Sequence, residues 1–257
     1  METGRPDISL CPRCGYDDVA VYYDETRLCP ECGYRDGESR KEFWCPDCGT
    51  YEMTFTSGRA VCSRCGCTVL FDYDGPAENA PDDPCPAEFK LLHVRKAEVL
   101  PGPTRLSHSF SEFTELEEVI LPEGIGVIDW DAFSCCLKLQ KVNIPRSVRE
   151  IRGSAFLGCA FEEILLPEGL DRIGELTFGD CGNLRHIEIP DGVRAIGDAA
   201  FQYCVALREI TVPASVEEIG DSAFRGCTAL TAVRILNPEC RIAPNAFDLC
   251  PNVKTEI

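Results

Sequence analysis

From about residue 110 onward, apolar and polar positions recur on a fixed period. Phe133, Phe156, Phe178, Phe201, Phe224 and Phe247 are each followed three places later by a cysteine: Cys136, Cys159, Cys181, Cys204, Cys227 and Cys250. The interval is constant except between Cys159 and Cys181, where it is shorter by one. A repeat of about 23 residues marks one small structural unit copied and stacked, and it takes precedence over any local reading of the chain. One unit runs from Leu184 to Cys204. It opens on Ile187 and Ile189, two apolar residues two apart, which is the period of a strand with one buried face. The same pair recurs as Val119/Leu121, Val142/Ile144, Ile164/Leu166, Ile210/Val212 and Val233/Ile235. Pro122, Pro145, Pro167, Pro190 and Pro213 end these strands, because proline has no N–H to give to a ladder. Pro-Glu-Gly and Pro-Asp-Gly then predict turns. A second short extended piece follows, with apolar residues three apart at Val193/Ile196 and Val216/Ile219. Gly197-Asp198 and Gly220-Asp221 predict a cap before a short helical turn that carries Ala, Phe and Cys inward.

One such unit cannot bury its apolar side alone. Stacking lines each Leu, Ile, Phe and Cys above its equivalents, so the predicted core is a set of ladders. The fold class is mostly β with short helical turns, and six turns at about 4.8 Å span only about 25–30 Å. The template L-x-x-I-x-I-P-x-x-V-x-x-I-x-x-x-A-F-x-x-C resembles the BspA-like, or Treponema-type, leucine-rich repeat family over about residues 110–250. That resemblance implies a curved solenoid used for protein binding. Phe161 replaces the leading Leu in the third unit, and Leu236-Asn237-Pro238 breaks the turn in the last. Phe110 sits one full period before Phe133, which predicts an N-terminal cap over 89–113. Residues 251–257 read as the start of another strand with a poorly protected edge.

The N-terminal part has a different pattern. Four C-x-x-C turns occur at Cys11/Cys14, Cys29/Cys32, Cys45/Cys48 and Cys62/Cys65, each followed by glycine. Two residues between thiols let both sulfurs face one point, and two such turns supply the four-sulfur tetrahedron that Zn²⁺ prefers. Fourteen residues separate Cys14 from Cys29 and thirteen separate Cys48 from Cys62, enough for a hairpin in each case. Val19 to Tyr23 and Tyr51 to Phe55 read as strands, and Ser57-Gly58 as a hairpin turn. These C-P-x-C-G turns resemble the zinc-ribbon family over about residues 8–73, with Ser63 replacing proline in the fourth. Sequential pairing gives one structural zinc on Cys11, Cys14, Cys29 and Cys32 and a second on Cys45, Cys48, Cys62 and Cys65. Interleaved pairing remains open but needs longer chain crossings, and iron also suits a four-sulfur site. Four thiolates leave no position for water or substrate, so both sites read as structural. The organisation is then a tandem zinc-ribbon region over 1–73, an acidic Pro-rich linker over 74–88 and a repeat solenoid over 89–257. The linker holds Pro76, Pro81, Pro84, Pro86 and Cys85.

Charge narrows the function. The chain has 257 residues, 25 Lys plus Arg and 43 Asp plus Glu, for a net charge of −18. Residues 1–89 carry 18 acids against 8 bases, and Arg40-Lys41 is the one adjacent basic pair there. Gripping phosphate needs clustered positive charge, so nucleic-acid contact through the ribbons is the weaker alternative. Met1 to Leu10 lacks a cationic start followed by an apolar core, and no apolar run reaches bilayer length. Together with so many thiols this predicts a cytoplasmic protein; a surface adhesin is the further alternative. No G-x-S-x-G elbow, phosphate loop or H-E-x-x-H occurs, and His93, His108 and His186 have no thiolate partner in view, so no enzymatic activity is expected. The outward strand positions are the candidate surface for a protein partner. They form two rows: Glu118, Lys141, Glu163, His186 and Glu209, then Ile120, Asn143, Leu165, Glu188 and Thr211.

Overall fold

The computed structural model describes residues 20–21, 27–28, 35–36, 45–47, 53–56, 59–73, 94–107 and 110–256. Three short strands, β1 (Ala20–Val21), β2 (Arg27–Leu28) and β3 (Arg35–Asp36), form an antiparallel sheet. β4 (Met53–Thr56), β5 (Arg59–Cys62) and β6 (Thr68–Tyr73) form an antiparallel meander. The linker expected over 74–88 lies outside the described residues.

Each repeat contributes one coil with two strands. The first ladder is built from β7 (Val94–Val99), β9 (Glu118–Ile120), β11 (Lys141–Asn143), β13 (Glu163–Ile164), β15 (His186–Ile187), β17 (Glu209–Val212), β19 (Ala232–Ile235) and β21 (Lys254–Glu256). The second is built from β8 (Arg105–Leu106), β10 (Val127–Ile128), β12 (Glu150–Ile151), β14 (Arg172–Ile173), β16 (Ala195–Ile196), β18 (Glu218–Ile219) and β20 (Arg241–Ile242). Its seven strands pair in parallel without interruption, Ile128 on Ile151 and Ile196 on Ile219. Equal positions thus stand side by side, and the inward residues Ile128, Ile151, Ile173, Ile196 and Ile219 are all buried. This mostly β architecture is the one the period predicts.

Three expectations change. The sequence reads as a metal module joined by a linker to a separate solenoid, yet one sheet runs through both. β6 pairs antiparallel with β7, Phe71 on Ala97, and β7 pairs parallel with β9, Ala97 on Val119. The segment read as a cap is a full coil, with Phe110 stacked on Phe133 at 5.4 Å and 10°.

The third change is the predicted helical turn. Among the described residues there is no helix. Around the five phenylalanines from Phe133 to Phe224, residues two before and two after carry left-handed φ, for example Asp131 (54°) and Cys135 (59°), Leu176 (53°) and Asp180 (56°), Ala199 (53°) and Tyr203 (57°). A helix cannot pass through such residues. The alternation instead aims every second N–H at the next coil. Ala199, Phe201 and Tyr203 donate to the carbonyls of Asp221, Ala223 and Arg225 at 2.8, 2.7 and 2.7 Å. These bonds form a third inter-coil ladder, made of turns. Each left-handed non-glycine residue costs about 1–2 kcal/mol, so this backbone exists only where neighbouring coils bond to it. The glycine read as a cap has another purpose. A Cβ on Gly197 would lie 2.8 Å from the carbonyl carbon of Gly174 one coil back, so the coils approach too closely there for a side chain. Asp198 does accept an N–H, at 2.8 Å, but from Asp221 of the next coil.

Inside this turn sit the two ladders that the sequence shows. Seven phenylalanine rings from Phe110 to Phe247 stack at 5.2–5.6 Å with interplanar angles of 1–13°. Each ladder thiol donates to the carbonyl of a phenylalanine one coil back. Cys136 meets Phe110 at 2.9 Å, Cys204 meets Phe178 at 3.1 Å and Cys227 meets Phe201 at 3.1 Å. A cysteine here fills a small apolar volume while supplying a weak donor, which alanine or valine cannot do. Phe178→Ala removes a ring from the middle of the stack and is expected to cost about 3–5 kcal/mol in urea unfolding; a near-neutral result contradicts the inward stack.

Candidate functional site

The first ladder carries the candidate surface because its strands alternate inward and outward residues. Val119, Ile164, Ile187 and Ile210 face the core, and their neighbours face solvent. Lys96, Glu118 and Lys141 stand opposite one another across β7, β9 and β11, and Glu163 stands opposite His186 across β13 and β15. In-register parallel strands place equivalent side chains about 4.8 Å apart, where like charges repel. The row alternates sign instead. Lys96 Nζ lies 2.9 Å from the Glu118 carboxylate, and this hydrogen bond, aided by the charges of Lys96 and Lys141, holds the Glu118 carboxyl below its ordinary range. His186 Nε2 lies 3.8 Å from Glu188.

The second row runs Leu70, Glu98, Ile120 and Asn143 in register across β6, β7, β9 and β11. Ile120 is 46% exposed and Leu165, on the coil after Asn143, is 80% exposed. Asn143 between them is differently occupied. Its side-chain amide donates to the Leu121 carbonyl at 2.9 Å and its carbonyl accepts the Leu121 N–H at 2.8 Å, pinning two coils together. Glu118, Ile120, Lys141, Asn143, Glu163 and Leu165 line one shallow groove of about 680 Å³. His186, Glu188, Glu209 and Thr211 line a second of about 590 Å³ with Arg234. All ten residues singled out in the sequence therefore lie on one face, divided between two grooves. The sequence gives no sign that this face extends onto the N-terminal meander through Leu70, Lys96 and Glu98.

The thiols divide by location. Burial pushes the Cys181 thiol up to about 12 and raises those of Cys136, Cys159 and Cys204, so these four ladder sulfurs are inert at neutral pH, whereas Cys250 in the last coil is lowered to about 7 by its hydrogen bond with Cys227. At the other end of the fold, ligand atoms of Cys45, Cys62 and Cys65 all lie within 4.8 Å of one another. The closest pair, Cys45 and Cys65, has Sγ atoms 3.4 Å apart, far beyond the roughly 2.05 Å of a disulfide. Cys62 and Cys65 flank the tight turn between β5 and β6, where Cys62 N–H donates to the Cys67 carbonyl at 2.9 Å. Three convergent sulfurs, two buried and one exposed, suit a thiophilic cation such as Zn²⁺. Cys11, Cys14, Cys29, Cys32 and Cys48 lie outside the described residues. One residue near this cluster has no signal in the sequence. Buried Ser107, far along the chain from Cys45, donates its hydroxyl to the Cys45 carbonyl at 2.9 Å and its N–H to the Pro46 carbonyl at 2.7 Å.

Two parallel strand ladders, closed by turns and filled by stacked Leu, Ile, Phe and Cys, define a leucine-rich repeat solenoid. A family model described as BspA type leucine rich repeat region matches residues 105–161 and 151–256, more than half of the 257 residues. The chain belongs to that family. Among solved structures it is similar to a leucine-rich repeat protein from Bacteroides ovatus, at 22% identity over 63% of this chain and 65% of that one, TM-score 0.31. It is similar to a leucine rich cell surface protein from Faecalibacterium prausnitzii, at 21% identity over 60% and 63%, TM-score 0.31. The leucine-rich repeat protein of T. pallidum matches at 22% identity over 72% and 78%, TM-score 0.41. The chain spans under two thirds of the length of the first two. No curated protein matches it. Among the described residues no helix is long and apolar enough to cross a membrane.

The Lys96–Glu118 pair has a pH consequence. A carboxyl held low in the fold contributes stability above the ordinary Glu range, and that contribution is lost as pH falls through its lowered folded-state value. Side-chain NMR titration is expected to find Glu118 below the ordinary Glu range and to find it raised in Lys96→Gln; an unchanged Glu118 titration in that variant contradicts the pairing.

Proposed function

We propose that this chain is a non-enzymatic binding protein that holds a protein partner on the outward face of its first ladder and uses its N-terminal thiols to bind structural zinc. The observation that carries the reading is the exposure of Leu165 and Ile120 in one groove, flanked by the alternating charges of Glu118, Lys141 and Glu163. A rigid face with a few apolar anchors inside a charged border is what specific protein recognition uses. Family membership supports it, because leucine-rich repeats mediate protein–protein interaction. The histidine on this face stands beside a carboxylate and the inner ladder thiols are buried donors to backbone carbonyls, which suits a binding role.

The convergence of Cys45, Cys62 and Cys65 supports zinc at the second site, with Cys48 as its fourth ligand and Cys11, Cys14, Cys29 and Cys32 forming the first. Bound there, zinc would supply cross-linking of chain segments and no reactive position. Thiol ligands and a core of reduced cysteine fit a reducing compartment, and the cytoplasm is the location that goes with this reading. The net charge of −18 favours a protein partner over nucleic acid.

The test is parallel affinity capture from the native organism with the wild-type chain and with Ile120→Arg/Leu165→Arg. A partner that docks here is expected to fall about tenfold or more with the double variant while the variant keeps its melting temperature. Equal retention of every captured protein, or retention of RNA or DNA that salt abolishes, contradicts the reading.

A further inference from the structure

Resting on the reading of the thiol cluster as a zinc site, we propose that the Cys45 turn is the N-terminal cap of the solenoid and that metal loading locks it in place, ordering the first coil and the start of the docking face. A stack of coils has two open ends, each exposing apolar core and unpaired strand edges, and repeat proteins need a cap at such ends. At the N-terminal end the two ladders are closed by different pieces of chain. The first ladder continues into the meander, since β7 pairs with β6. The second ladder stops at β8, whose one strand partner among the described residues is β10. Immediately after β8, Ser107 turns its N–H onto the Pro46 carbonyl and its hydroxyl onto the Cys45 carbonyl, so the Cys45 turn lies across that end. Leu106 and Cys45 are fully buried there, and Ser107 is 6% exposed.

The thiol cluster is the point where these two closures meet. Cys45 belongs to the turn hydrogen-bonded to the end of the second ladder. Cys62 and Cys65 belong to the turn between β5 and β6, which extends the first. A cation shared by the three sulfurs therefore ties the two ladder ends to each other. Without it, the tie to β8 falls to hydrogen bonds such as the two from Ser107. Metal binding of this kind is folding free energy for the segments it joins. The effect should be local, because coils in a solenoid couple to their neighbours and not to the far end. It reaches the partner face through β6, which begins shortly after Cys65 and carries Leu70 into a groove with Lys96, Glu98 and Ile120.

The experiment uses the intact zinc-loaded chain, with metal content and amide hydrogen exchange measured before and after chelation. Metal loss is expected to speed exchange about tenfold or more in residues 59–73 and 94–107, with residues 178–250 unchanged. Ser107→Ala, which leaves every thiol in place, is expected to keep its zinc yet show faster exchange in β8. Zinc removed with no change in exchange at residues 59–73 and 94–107 overturns the cap while leaving the metal reading intact. Uniform acceleration through all coils also overturns it, because the metal then governs global folding. A chain that holds no zinc when purified with zinc present overturns both.

Discussion

The structure depends on a constraint that acts between coils. A unit of about 23 residues has too little apolar surface to offset the entropy of ordering it, so each coil is stable only against its neighbours. The sharpest expression of this is the turn around each phenylalanine. Its alternating left-handed residues are unfavourable alone, and they persist because Ala199, Phe201 and Tyr203 reach the carbonyls of the following coil. The stacked rings and the thiol-to-carbonyl bonds fill the space that this turn encloses. Strand pairing, ring stacking and turn bonding all repeat at the same interval, so a residue out of step in one ladder is out of step in all.

That constraint also shapes the surface. Equivalent residues must stand side by side, and a charge repeated in every coil would repel itself. The outward row escapes this by alternating Lys96, Glu118 and Lys141 and by setting Glu163 opposite His186. Where the row beside it holds apolar residues, they are exposed: Ile120 and Leu165 have no inward role, unlike Asn143 between them. The face proposed to hold a partner is thus made from those positions that the stack leaves unused. At its N-terminal end it merges with the meander that carries the thiol cluster, which joins the proposed recognition and metal sites in one sheet.

Much of this is legible in the sequence, and the reasons are physical. The regular return of Phe-x-x-Cys fixes stacking, and the i, i+2 apolar pairs fix the first ladder and its outward rows. The C-x-x-C spacing marks Cys62 and Cys65 as neighbours, and the sequential choice of pairing places Cys45 with them, as the structure does. The turn reads as helical because Gly197-Asp198 and Gly220-Asp221 look like caps before it, whereas non-glycine residues such as Leu176 and Ala199 give no sign of left-handed φ. Gly197 reads as a cap because its close neighbour, Gly174, belongs to the preceding coil and is distant in sequence. The fusion of meander and solenoid, and the bridge from Ser107 to Cys45, rest on contacts that follow no period, so no repeat announces them.

The central claim is that the five inner ladder sulfurs, from Cys136 to Cys227, lie sealed between coils and donate to carbonyls there. Timed alkylation of the native protein with iodoacetamide, mapped residue by residue by mass spectrometry, tests it most directly. These five sulfurs are expected to stay unmodified until the chain is unfolded, while the partly exposed Cys135 and Cys240 of the same solenoid react in the native protein. Rapid native labelling of Cys159, Cys181 or Cys204 would contradict it.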